Sequence, residues 1–372
     1  MKVLFTANVP APYRVDFFNE LGKLCDLTVI FERRTAASRN RKWLSADAKT
    51  YREIYLDGIE TGEAEALSFG LIKYVKDKSF DKIIIGMYSS PSAMIAIEYM
   101  RIHRIPFYLS TDGGFVEQEP HIKKAVKKHL ISSASRWLSP GDNATEYLVY
   151  YGAVRNKVYK YPFTSLTEFD LKYAEDLCSC NKQTLRDELG MEEEQILLSV
   201  GRFSYEGGYG KGYDTLMEAA EFLSPAIGIY IVGDEPTPEF VSWKEKKNLT
   251  HVHFIGFKEK EELAKYYAAS DAFILLTRKD AWGLVINEAM SFRLPVITTN
   301  QCMAGLELVR NNENGFLVDA GDVTATVTSV RQVFSSQEVL ARMGSAGRKR
   351  IESYTIENMA SVHYKFLSGT FR

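Results

Sequence analysis

Two cations flank a glycine-rich stretch: Arg202, then Glu206-Gly207-Gly208-Tyr209-Gly210, then Lys211 and Gly212. The apolar run Ile196–Val200 before it reads as a buried strand, and Asp214–Phe222 after it as a helix. Ligands of open parallel sheets bind beyond the carboxyl ends of the strands. A strand, an arginine, a flexible loop, a lysine and a helix start together outline a diphosphate cradle, because both cations form charge-assisted bonds to phosphate oxygens. This is not a Walker A loop: Gly212 stands where Ser or Thr is required, and the first glycine is missing. A solvated loop with charged edges fits the same residues.

A second block, Arg278-Lys279-Asp280-Ala281-Trp282-Gly283-Leu284-Val285-Ile286-Asn287-Glu288-Ala289, follows the apolar run Ala272–Leu276 and opens the helical stretch Leu284–Phe292. Gly283 allows a ligand close to the backbone. Unpaired N–H groups at Leu284 and Val285 would face an anion at the helix start. Asp280 falls in the loop and Glu288 about one turn inside the helix, where two carboxylates can accept hydrogen bonds from sugar hydroxyls. The competing reading makes Asp280 a helix cap and Glu288 a solvated helical residue.

The elements that must position these residues alternate along the chain. Short apolar runs fall at Val3–Ala7, Leu27–Phe31, Lys82–Met87, Pro106–Ser110 and Arg136–Ser139, then at Ile196–Val200, Ile227–Val232, His251–Ile255, Ala272–Leu276, Pro295–Thr298 and Gly315–Val318. Helical patterns separate them, among them Val15, Phe18 and Leu21, and the stretches Pro91–His103, Glu259–Ala269 and Val323–Phe334. Strands that are apolar throughout are buried on both faces, as in parallel α/β sheets. The expected fold class is therefore α/β, with two Rossmann-like doubly wound domains facing a central cleft. The boundary is expected where Val158–Tyr161 meets Pro162, giving domains of 1–165 and 166–354, with the terminal helix 355–372 packing back on the first.

Bulk composition narrows the function classes. A chain of 372 residues, 45% apolar, exceeds one ordinary core. A formal net charge of −2 supplies no field for nucleic acid. Cys25, Cys178, Cys180 and Cys302 form no disulfide framework, and no Cys/His cluster has zinc spacing, so no metal is expected. His251 and His253, two apart on a strand, read as structural. No apolar stretch reaches 18 residues, and the N-terminal apolar run is too short for a signal peptide, so a cytoplasmic protein is expected. Lys123, Lys124, Lys127, Lys128 and His129 form a basic helix interleaved with Ala125, Val126 and Leu130. A second basic cluster holds Arg33, Arg34, Arg39, Arg41 and Lys42, beside Trp43. Each is either a solvated face or a contact for an anionic membrane or lipid-diphosphate acceptor, peripheral at the inner face of the membrane.

Taken in order, the blocks resemble the family-4 retaining glycosyltransferases of the GT-B fold. They are Ser199-Val200-Gly201-Arg202-Phe203, Lys211-Gly212, Ile231-Val232-Gly233-Asp234, Phe254-Ile255-Gly256-Phe257, Ala269-Ser270-Asp271-Ala272-Phe273, the Asp280–Glu288 block, Leu294-Pro295-Val296-Ile297 and Asn314-Gly315-Phe316-Leu317-Val318. The opening Asn8-Val9-Pro10-Ala11-Pro12-Tyr13-Arg14 resembles bacterial surface-polysaccharide members. The resemblance implies a retaining transfer of sugar from a nucleotide sugar, UDP- or GDP-linked, to a hydroxyl acceptor on a glycan or lipid-linked glycan, in polysaccharide or glycolipid assembly. It implies no metal cofactor, since no Asp-x-Asp motif is present. Arg202 and Lys211 would hold the diphosphate and Glu288 the ribose. Asp280, Gly283, Leu284 and Val285 would hold the transferred sugar and distal phosphate, with Gly256 and Phe257 also on the donor side. Tyr13 and Arg14 would lie on the acceptor side.

Three departures from that family stand out. Asp280 replaces the usual Glu, the interval from Arg202 to Lys211 is longer, and Asp112 sits where many members have a His facing the transferred sugar. Asp112 is expected to read a sugar hydroxyl, against the rival reading of a structural Asp-Gly turn. A departing phosphate oxygen would take the acceptor's proton, so no protein base is implied. The other readings are a GT-B nucleotide-sugar epimerase and an inactive nucleotide-sugar-binding subunit.

Overall fold

The computed structural model describes residues 1–35, 50–62 and 64–370. The chain divides into two compact units, Met1–Ser165 with Tyr354–Arg372, and Leu166–Ser353.

The first unit holds β1 (Lys2–Ala7), β2 (Asp26–Phe31), β3 (Arg52–Tyr55), β4 (Ile59–Glu60), β5 (Ala66–Leu67), β6 (Lys82–Ile85), β7 (Tyr108–Ser110), β8 (Arg136–Ser139) and β9 (Val158–Lys160). Seven of these form a parallel sheet in the order β3-β2-β1-β6-β7-β8-β9, and β4 and β5 form a small antiparallel pair. Residues 3–7 of β1 and 27–31 of β2 are buried without interruption, as central strands between helical layers must be. β3 has no such run. It is a polar edge strand, two residues exposed and two half-buried, so its burial pattern gives no signal in the sequence.

The second unit holds β10 (Gln195–Val200), β11 (Ile227–Val232), β12 (Val252–Ile255), β13 (Ala272–Leu275), β14 (Val296–Thr299) and β15 (Gly315–Val318). They form one parallel sheet in the order β12-β11-β10-β13-β14-β15. The strand order turns back between β10 and β13, and that switch is where an open α/β sheet leaves a crevice at its carboxyl edge. In the first unit the corresponding reversal lies between β1 and β6.

Five helices of the second unit escaped the apolar pattern: Glu168–Cys178, Lys182–Leu189, Pro238–Lys246, Met303–Leu308 and Gln337–Arg350. Glu168–Cys178 is set by Thr167, which caps the Asp170 amide while the Asp170 carboxylate returns to the Thr167 amide. Gln337–Arg350 buries Leu340, Met343, Gly344 and Gly347, so half of its packing face is glycine. The helix Ile356–Ser368, capped by Thr355, packs on the helix Pro12–Gly22 and belongs to the first unit.

Candidate functional site

The crevice of the second unit is built from the loops after β10 and β13. Glu206–Lys211 is a run of tight turns that ends at Gly212 with φ of 70°, a left-handed conformation. A Cβ on Gly212 would lie 1.9 Å from the Leu276 carbonyl oxygen. The fold therefore needs glycine where a phosphate loop would carry Ser or Thr, and the close approach carries Lys211 to the end of β13. Two bonds to the Gly210 carbonyl, from Thr277 Oγ1 at 2.9 Å and the Arg278 amide at 3.0 Å, fasten the loop there. On its other side the carboxylate of Asp234, just past β11, accepts from the amides of Phe203 and Ser204.

Lys211 Nζ meets Asp280 Oδ2 at 2.6 Å, and both side chains are largely covered. The other carboxylate oxygen of Asp280 accepts from the Trp282 amide at 3.2 Å, so Asp280 shapes the loop and does not cap the following helix. That cap position belongs to Gly283, at φ of 96°, with no side-chain bond to the helix Leu284–Ser291. The amides of Leu284 and Val285 are thus left for an anion. A Cβ on Gly283 would fall 2.5 Å from Cys302 Sγ. Burial and the nearby Asp280 carboxylate push the Cys302 thiol up to about 12, so it packs as a neutral thiol.

Glu288 is half-buried and accepts from the Tyr267 hydroxyl at 3.1 Å. Burial, then the Glu288 carboxylate, raises the Tyr267 phenol far above its ordinary value. Arg202 lies exposed just past β10, Gly256 is half-buried just past β12, and Phe257 beside it is exposed. β12 is the sheet's edge strand, two positions from β10, so Gly256 and Phe257 start about 10 Å from the β10 loop. Residues 278 and 214 form a pair that sequence reasoning missed. Arg278 bonds both carboxylate oxygens of Asp214 in the first turn of the helix Tyr213–Ala220, which ties the two loops together. Their separation of 64 residues leaves no local signal.

In the first unit, Asp112 follows β7 and is ion-paired to Nη2 of Arg14. Tyr13 points its hydroxyl at the same carboxylate from 3.5 Å. Arg14, expected on the acceptor side, is 6% exposed; its guanidinium addresses Asp112 from beneath. Burial opposes its charge, yet the carboxylate of Asp112 and the phenols of Tyr13 and Tyr161 outweigh that and raise its pKa. Asp112 keeps one-third of its side chain open. The Asp-Gly turn is also present: Thr111 Oγ1 donates to the Gly113 carbonyl at 2.8 Å.

The basic helix is His121–Ser132. Glu119 takes Lys123 and Lys127, Lys124 bonds the Tyr150 hydroxyl, and His129 meets Glu98, while Lys128 is exposed. Of the second basic cluster, Arg33 pairs with Glu60 and Arg34 lies over the Tyr55 ring. Arg39, Arg41, Lys42 and Trp43 lie outside the described residues. His253 bonds Glu193 at 2.5 Å and stacks on Tyr230. Among the described residues no group of three His, Cys, Asp or Glu side chains is placed to hold a metal ion, and no helix is long and apolar enough to cross a membrane.

Residues 181–350 match the family described as glycosyl transferases group 1, a span that lies wholly inside the second unit. The second unit matches this family along most of its length. An uncharacterized glycosyltransferase of Haemophilus influenzae is 30% identical over 196 residues, 48% of this chain and 51% of that protein. The lipopolysaccharide glucosyltransferase WaaG of Escherichia coli is 29% identical over 135 residues, 36% of this chain and 35% of that one. The chain spans about half the length of the first of these curated relatives and about a third of the second. Among solved structures, HepE of Anabaena in complex with UDP superposes with a TM-score of 0.76 at 18% identity, covering 99% of this chain and 100% of that one. The fold is GT-B, with both Rossmann-like units represented. The Lys211–Asp280 pair and the uncapped Gly283 helix start thus fall inside the glycosyltransferase-family unit.

Proposed function

We propose that this chain transfers a sugar from a nucleotide-sugar donor to a hydroxyl acceptor, with retention of anomeric configuration, in bacterial polysaccharide or glycolipid assembly. The observation that carries the reading is the meeting of Lys211 and Asp280, from the loops after β10 and β13, beside the uncapped helix start of Gly283. The chemical difficulty is a departing diphosphate and a cationic sugar ring. Lys211, Arg202 and the amides of Leu284 and Val285 stabilise the departing charge in a preorganised way. They supply the neutralisation that a metal ion supplies elsewhere, so no metal cofactor is required. Asp280 and Asp112 read hydroxyls of the transferred sugar, Glu288 holds the ribose, and a departing phosphate oxygen takes the acceptor's proton. UDP is the favoured nucleotide, since the HepE relative is described in complex with UDP.

The acceptor is a glycan or lipid-linked glycan met at the cytoplasmic face of a membrane. The support is the helix His121–Ser132, which exposes Ile122 (81%) and Val126 (39%) on one face and Lys128 on another, as an amphipathic helix on an anionic surface does. The test is nucleotide release from a panel of UDP- and GDP-sugars by purified protein, followed by phosphorus NMR for the nucleotide and proton NMR for the product anomer, with and without glycan acceptors. One donor should turn over, faster with its acceptor and with the product anomer unchanged. No release from any donor defeats the enzymatic reading, and sugar isomerisation without release favours an epimerase.

A further inference from the structure

Behind Asp112 lies a sealed cluster drawn from distant parts of the first unit. Arg14 and Phe17 are three residues apart on the helix Pro12–Gly22 and share a face. The ring of His363, from the C-terminal helix Ile356–Ser368, packs 4.7 Å from Phe17 and 4.5 Å from Tyr161. Tyr161 donates its hydroxyl at 2.7 Å to the carbonyl of Thr111, the residue before Asp112. Arg14 donates through Nη2 to Asp112 itself. The C-terminal helix therefore reaches the base of the Asp112 loop by way of one histidine.

Hydrogen bonding singles this histidine out. Its Nδ1 donates to the Met359 carbonyl at 2.8 Å, which makes Nε2 the acceptor of a neutral ring. That Nε2 is buried, and among the described residues it has no partner. The same holds for Nη1 of Arg14, a donor. Buried polar atoms in folded proteins find partners as a rule. The Arg14 charge acts on the His363 ring, and an orphaned donor and an orphaned acceptor so placed would both be satisfied by a single bridging water. The guanidinium would then be held at both ends of its fork, and the carboxylate it carries aimed.

We infer that His363 is a positioning residue for Asp112, acting through Arg14. The inference rests on the reading of Asp112 as a carboxylate that contacts the transferred sugar. A purely space-filling ring would be replaceable by Phe, and would leave Arg14 undisturbed.

The experiment uses the full chain labelled with 15N at histidine and arginine. His363 should show the neutral Nδ1–H tautomer across the neutral pH range. The Arg14 Nη resonances should move in Asp112→Asn and also in His363→Phe, and return toward the parent position in His363→Gln, whose amide can again accept. An Arg14 signal that answers Asp112→Asn but not His363→Phe overturns the inference, as does a proton on Nε2 of His363. Kinetics supply the second arm. His363→Phe should lower kcat roughly tenfold without changing UDP affinity, and should cost nothing further in the Asp112→Asn background. An equal loss in both backgrounds overturns the inference. If the parent protein turns over no donor, the enzymatic reading fails, and the Arg14 resonances still decide the positioning claim.

Discussion

Lys211 and Asp280, 69 residues apart in sequence, form a 2.6 Å ion pair in which each side chain is about one-fifth exposed. On the proposed reading, a lysine offered to a diphosphate is thus already neutralised by a carboxylate offered to a sugar. Incoming phosphate must share or displace that partner, and this gives the two residues opposite expected effects. Lys211→Met should weaken UDP binding by about 1.5–3 kcal/mol and uridine binding far less. Asp280→Asn should release Lys211 and strengthen UDP binding by up to about 1 kcal/mol, the scale of a partly exposed pair, while sugar transfer falls. Calorimetry on both variants checks this. Weaker UDP binding in Asp280→Asn means the carboxylate supports the nucleotide and does not compete with it.

Glu288 holds a bond from Tyr267 and still keeps part of its surface open. Glu288→Gln preserves shape and removes the charged acceptor for a ribose hydroxyl. UDP affinity should drop by about 1.5–3 kcal/mol with the melting temperature nearly unchanged. Unchanged affinity removes Glu288 from the nucleotide site.

On the proposed reading Asp112 has two duties, binding a sugar hydroxyl and pairing with Arg14, that a single substitution cannot separate. Asp112→Asn strands the buried Arg14 charge, so stability should fall by about 3 kcal/mol, the lower end for a broken buried pair because Asp112 is one-third exposed. Adding Arg14→Met removes the stranded charge, and most of that stability should return. Transfer activity should stay low in the double variant, with UDP binding intact. Recovery of activity along with stability would assign Asp112 to the turn alone.

His363 is pushed down to about 3, first by burial and also by the Arg14 charge, against a backbone bond to Met359 that favours the charged form. Its folded value lies below its unfolded value, so the unfolded chain binds the extra proton first. Stability should therefore be complete above about pH 6.5 and decline as pH falls from there toward 3, at up to about 1.4 kcal/mol per pH unit. His363→Phe should flatten that part of a denaturation-versus-pH curve. An unaltered slope means another group titrates there.

The helix His121–Ser132 should bind anionic vesicles at low salt, and release them as salt is raised. Because Glu119 already engages Lys123 and Lys127, the exposed Lys128 and Ile122 should matter most. Lys128→Glu with Ile122→Ser should abolish co-sedimentation. Equal binding to neutral and anionic lipid rules out the electrostatic contact.

Much of this molecule was readable from residue order alone. Uninterrupted apolar runs such as Leu27–Phe31 and Ile227–Val232, alternating with helical patterns, point to strands buried on both faces and hence to two parallel sheets, because helices packed on both sides of a sheet hide such runs. The edge strand Arg52–Tyr55 and the helix Gln337–Arg350 were not readable, since one buries little and the other packs through glycine. The loops at the carboxyl edge, and their charged residue types, were legible from their place after strands. Their partners were not. Lys211 with Asp280, Arg278 with Asp214, and Arg14 with Asp112 meet only because strand order brings distant loops together, and sequence distance carries no trace of that. Arg14 shows the difference best. The sequence places it only on the acceptor side, and tertiary packing against Tyr161, Phe163 and the C-terminal helix makes it a buried cation.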